Sequence, residues 1–167
     1  MPESVRINFV TGATRRYVAD VEALAGIPAR LEAAVDGQRA DWYRFNGGVE
    51  GAWPPARVLG HMIAYARQTR ENLFRMAWMT DPVLNVLDDS AEAERQSWES
   101  QDPAQLVAAF SEAIAETVHL LKELPDSSWG RPGQNPNLGR RSIRQSVRAA
   151  SRHLDEHVAQ LEALAGG

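Results

Sequence analysis

The 167-residue sequence contains no cysteine. That excludes disulfides, thiolate nucleophiles and cysteine-type zinc sites, and it leaves His, Asp and Glu as the ordinary metal ligands. Positive charge is also in short supply, with a formal net charge of −4. Nucleic-acid affinity rests largely on a basic field, so a general polyanion binder is not expected. Long apolar runs are missing too: no stretch approaches the roughly 20 apolar residues of a membrane helix. Met1 to Val10 lacks the basic flank and apolar run of a signal peptide. A cytoplasmic protein without a membrane partner is the expectation. What remains is an ordinary globular composition, 44% hydrophobic and 24% charged, over a length suited to one domain.

Strand-like alternation is absent over any length, whereas four long segments show helical periodicity. The first covers Ala13 to Asp36, where Tyr17, Val21, Leu24, Pro28, Leu31 and Val35 step by four and three. Gly26 and Pro28 sit inside it, so a kink or break is expected there. The second starts at Trp53-Pro54-Pro55, since proline suits a first helical turn, and runs to Met79. The third starts at Asp102-Pro103, with Gln105 placed to close a capping box, and Pro125 stops it. The fourth starts at Ser142, with Gln145 three residues on, and ends at Gly166-Gly167. Val83 to Gln101 is long for a bundle connection and has room for a short helix around Ser90 to Trp98. Asp126 to Arg141, rich in Gly, Pro and Asn, reads as loop. These segments predict an all-α four-helix bundle over residues 13–165, preceded by an N-terminal extension, residues 1–12.

Of the four histidines, three have positions that bear on function. His153 and His157 are one turn apart on the fourth helix, close enough to share a metal ion. At about 100° per residue, His157 lies about 40° from the centre of the apolar stripe and His153 about 80° from it. Both therefore sit at the border of the buried arc. His61 borders the apolar arc of the second helix in the same way, with Tyr65 and Asn72 along the same edge. One border histidine on one helix and a pair on another suit a three-ligand site with positions left for water or substrate. The plainer alternative is three hydrogen-bonded amphipathic side chains. His119 lies opposite the buried face of the third helix and reads as solvent-exposed. Arg140, Arg144, Arg148 and Arg152 recur every four residues on the outer face of the fourth helix, where a solvated face is favoured over a nucleic-acid site. The five tryptophans read mainly as packing residues, with Trp53 and Trp129 anchoring loops. Trp42, Tyr43 and Phe45 are candidates for a pocket mouth or a dimer contact.

Several stretches together resemble the DinB/YfiT-like superfamily. They are Ile27-Pro28-Ala29-Arg30-Leu31, Gly51-Ala52-Trp53 with Val58-Leu59-Gly60-His61-Met62, and Leu124-Pro125-Asp126-Ser127-Ser128-Trp129 with Asn135-Pro136-Asn137-Leu138-Gly139. The last is His153-Leu154-Asp155-Glu156-His157, continuing to Leu161. The resemblance implies a four-helix bundle of unusual connectivity in which His61, His153 and His157 hold one divalent ion, nickel or zinc. It also implies a possible homodimer and a metal-dependent reaction on a small-molecule substrate. Thiol-dependent S-transfer is the first expectation, with a low-molecular-weight thiol as co-substrate and Tyr65 orienting the substrate or donating a proton. A metal-dependent hydrolase is the alternative, and a non-catalytic metal-binding or scaffold bundle the other. One departure stands out: many relatives carry an acidic residue three or four positions after the first histidine, where this chain has Ala64 and Tyr65.

Overall fold

The computed structural model describes residues 16–167, so the expected extension and the first residues of helix one lie outside the described part. Helix one is divided as its composition suggests. α1 spans Val18–Ala25 and α2 spans Ile27–Val35, with Gly26 between them and Pro28 in the first turn of α2. Proline has no N–H to return to the preceding turn, so the hydrogen-bond ladder breaks and the axis can bend there. The second bundle helix is α3, Pro55–Trp78. The connection after it carries the short helix α4, Asp89–Gln96, near its expected place. α5 spans Pro103–Glu123 and α6 spans Ile143–Ala165.

Two local expectations differ from the structure. Asp102 caps α5 by accepting from the Ala104 N–H rather than through a capping box with Gln105. The segment read as loop forms a 3₁₀ turn, Asp126–Gly130, and an antiparallel hairpin of β1, Pro132–Asn135, and β2, Gly139–Ser142. Its Gly/Pro/Asn-rich sequence lacks strand alternation because the hairpin is held by neighbours. Gln134 accepts from Leu84 N–H and donates its own N–H to Pro82. Gly133 lies so close to Leu84 and Met76 that an added Cβ would meet them at 2.8 and 2.9 Å. The capping box between Ser142 and Gln145 is present in full and launches α6 directly from the hairpin.

The bundle has a particular connectivity. α3 packs against α5 and α6, and the α1–α2 pair packs against the same two helices. Helices one and two are consecutive in sequence yet diagonal in space, which the long link from residue 36 to residue 54 allows. Fully buried side chains fill the interior from every bundle helix, among them Leu24, Leu31, Leu59, Ile63, Leu73, Phe110, Ile114, Leu154 and Leu161. Each contributes about 1.5–3 kcal/mol of transfer free energy, which is what fixes the helix faces. Trp129 is buried and stacks on Tyr17 at 4.4 Å, while Trp78 is exposed and meets the ring of Phe74 edge-on. No helix among the described residues is long and apolar enough to cross a membrane.

Candidate metal centre

α3 and α6 run antiparallel in contact, and their register sets His61 opposite His153. The His61 Nε2 and His153 Nε2 atoms are 3.0 Å apart. His157 completes the group one turn further along α6, and each of the three residues offers a ligand atom within 4.8 Å of the others. The rings meet edge to face: 4.6 Å and 89° for His153 and His157, 4.7 Å and 71° for His61 and His157. Crossed rings let their nitrogens point at one spot without stacking.

Two of the other ring nitrogens are held from outside. His61 Nδ1 donates to Asp89 Oδ1 at 2.6 Å, and His157 Nδ1 donates to Gln160 Oε1 at 3.0 Å. A proton on Nδ1 leaves the Nε2 lone pair of a neutral ring free for a cation. Burial, helped by the neighbouring imidazoles, holds His153 below the usual imidazole range. Burial likewise lowers His157 against the opposing effect of its Gln160 bond. Both are neutral at pH 7, as ligands must be. At 3.0 Å a His153 Nε2–H can donate to the lone pair of His61 Nε2, and a bound cation would take the place of that proton. Two nitrogens bound to one tetrahedral zinc at about 2.0–2.1 Å would be separated by about 3.4 Å. The donor set therefore fits a divalent ion.

Asp89 is the residue that sequence reasoning missed. It restores the carboxylate absent at Ala64 and Tyr65, but from the start of α4. α4 is itself set by Asp88, whose side chain accepts from the Ala91 N–H. A close approach brings this segment in: Trp98 lies against Gly60, where a Cβ would meet its ring at 2.1 Å. Trp53 packs on His61 with ring centres 5.6 Å apart and is backed by the Arg57 guanidinium.

A cavity of about 280 Å³ adjoins His61 and His153, and Tyr65 forms part of its wall. The Tyr65 ring is 4.3 Å from that of His153. Burial raises the Tyr65 pKa above its ordinary value, outweighing a Thr69 hydrogen bond and the Arg152 charge, so the phenol stays protonated. The other sequence candidates lie elsewhere. His119 is exposed and 3.4 Å from Glu123. Tyr43 is buried in the core, and Trp42 and Phe45 border a shallow depression that includes none of the three histidines. Arg144 and Arg148 are spent on Asp20, at 3.1 and 2.7 Å, and Arg140 faces Asp81 at 3.6 Å.

The DinB superfamily model matches residues 23–161, which takes in the whole histidine group. The chain belongs to the DinB superfamily. Among solved structures it is similar to YfiT from Bacillus subtilis, with a TM-score of 0.80 at 19% identity, covering 87% of this chain and 83% of that one. YfiT is described as a probable metal-dependent hydrolase with an unusual four-helix bundle topology. The likeness establishes that this DinB chain shares the YfiT fold. No curated protein matches the sequence significantly.

Proposed function

We propose that this DinB-family chain is a divalent-metal-dependent hydrolase acting on a small molecule seated beside the histidines. The observation that carries this reading is the convergence of His61, His153 and His157 next to an open cavity. Three protein donors leave positions for an exchangeable guest, as catalytic sites do and closed structural sites do not. Imidazole donors suit nickel or zinc. When bound, such an ion supplies Lewis acidity, polarising a carbonyl and lowering the pKa of water.

The chain's own residues do the rest. Asp89 and Gln160 hold His61 and His157 in the required tautomer and orientation. Tyr65, protonated on the cavity wall, donates a hydrogen bond to the oxygen on which charge develops, or a proton to the leaving group. Leu73 and Leu84 supply apolar wall. The description of YfiT points the same way.

Thiol-dependent S-transfer would use the same histidines with a low-molecular-weight thiol as co-substrate. The cavity, about 280 Å³, lies just under the usual range of roughly 300–1,000 Å³ for ligand sites. It suits one small organic substrate better than a thiol and an electrophile together, which supports hydrolysis.

The test begins with metal analysis of protein purified without a polyhistidine tag. About one equivalent of transition metal is expected, and His157→Ala should lose it. A panel of small esters, amides and lactones, run beside thiol–electrophile pairs, then compares chelated with reloaded protein. Hydrolysis that appears only after reloading supports the proposal. Equal turnover in both states, or turnover confined to the thiol pairs, refutes it.

A further inference from the structure

We propose that Arg141 is an anion-binding residue of the cavity, and that the substrate carries a carboxylate at the end remote from its reacting group. The identity of the reacting end rests on the metal-enzyme reading above; the carboxylate subsite rests on the following geometry. Arg141 lies on β2 opposite Gly133, next to Arg140. Successive strand residues project to opposite faces. Arg140 accordingly faces Asp81, whereas Arg141 lines the cavity.

Several charged and amide groups on or beside the cavity wall are already engaged. Asp81 also accepts from Gln134, Glu71 accepts from Asn85, and Asp89 holds His61. Asn72 and Asn85 close on each other, the Asn72 amide spanning the Asn85 backbone at 2.9 and 3.0 Å. Among the described residues Arg141 has no acidic partner, and it is the one arginine or lysine on the cavity wall. A half-buried guanidinium without a counter-ion is a group that waits for one.

The shape of the cavity places that subsite away from the histidines. Ser146, Ala149 and His153 line it at steps of three and four along α6, leading from the hairpin to the triad. Ten residues of helix, about 15 Å of axis, separate the start of α6 at Ile143 from His153, and Arg141 lies two residues before that start. Leu84, Val86 and Leu138 line the same cavity. The complementary molecule is therefore elongated, apolar in its middle and anionic at one end. A guanidinium fork matches the two oxygens of a carboxylate. A phosphate dianion brings a second charge, and no second arginine or lysine on the wall meets it.

The test titrates hexanoate, hexyl phosphate and hexan-1-ol into the full chain, followed by two-dimensional amide NMR, in metal-stripped and zinc-loaded forms. Stripped protein should bind hexanoate about tenfold or more tightly than hexanol, the weight of one charge-assisted fork. Arg141→Gln should lower hexanoate affinity by about that factor in both forms, leaving hexanol and zinc binding unchanged. Arg140→Gln should keep the preference. Equal binding of hexanoate and hexanol to stripped protein, or a preference that survives Arg141→Gln there, overturns the proposal. Tighter binding of hexyl phosphate than of hexanoate overturns the carboxylate assignment. Failure of the metal reading has a separate signature: zinc does not bind, while the carboxylate preference persists and the role of Arg141 stands.

Discussion

Asp89→Ala isolates the contribution of the carboxylate that holds His61. Asp89 Oδ1 lies 2.6 Å from His61 Nδ1, with the His61 side chain 10% exposed and that of Asp89 42% exposed. Removing the outer partner of a ligating histidine lowers metal affinity by about 10–100-fold. Water can reach the half-exposed position and replace the carboxylate in part, so the lower end applies: about tenfold, or about 1.4 kcal/mol. Asp89→Asn keeps an acceptor but not the charge. Charge-assisted bonds are roughly twice as strong as neutral ones, so the loss should be about half that free energy, near threefold. Competition for zinc against a chromophoric chelator reads both. Asp88→Ala is the control for damage to α4. It removes the bond to the Ala91 N–H, lowering stability by about 1 kcal/mol in thermal unfolding without touching His61. Wild-type zinc affinity in Asp89→Ala would refute the reasoning, as would an Asn variant as impaired as the Ala one.

Three further outcomes are expected. Gly60→Ala should destabilise the protein by about 1–3 kcal/mol in denaturant unfolding, because a Cβ there meets the Trp98 ring at 2.1 Å; unchanged stability would show that Trp98 does not pack as described. The folded-state pKa values of His153 and His157 lie below the unfolded imidazole value of about 6.5, so the unfolded chain binds more protons between the two. The stability of metal-stripped protein should then be fully present above pH 6.5 and decline as pH falls toward the folded values; a Tm that is flat or rises on acidification from pH 7 to 5.5 contradicts this. Tyr65→Phe should lower kcat about a hundredfold on the best panel substrate while zinc affinity stays constant, and equal losses in kcat and zinc affinity would make Tyr65 a packing residue of His153.

The bundle was readable because its signals are local and repeated: apolar residues at steps of three and four, Pro54-Pro55 and Asp102-Pro103 at helix starts, and Ser142 with Gln145. The three histidines were readable for the same reason, as border positions follow from the helical wheel. Gln160, three residues after His157, lies on the same helical face and was within reach of the same rule. Asp89 was not. It is 28 residues from His61 in sequence, and its placement depends on Trp98 finding the surface that Gly60 leaves open. The hairpin was missed because its stability comes from Leu84, Met76 and Pro82 rather than from its own composition. Arg141 was passed over for the same reason, since only the hairpin turns it away from Arg140.

The arginine row of α6 shows how a face that resembles a polyanion site is tied instead to neighbouring helices around the histidine group. Asp20 on α1 is 10% exposed and accepts from both Arg144 and Arg148, one helical turn apart. Further along, Arg30 on α2 pairs with Asp155 and reaches Glu162 at 3.9 Å. His153 lies between the Asp20 and Asp155 attachments, and His157 between Asp155 and Glu162. Two histidines one turn apart on a helix share any axial slip or rotation of that helix, while His61 on α3 does not. A displacement of even 1 Å would open the 3.0 Å separation of His61 and His153. Cross-helix ion pairs on both sides of His153, backed by the buried Leu154, Val158 and Leu161 stripe, oppose both motions. The charges that dilute any nucleic-acid field on this face are thus paired with α1 and α2 on either side of His153.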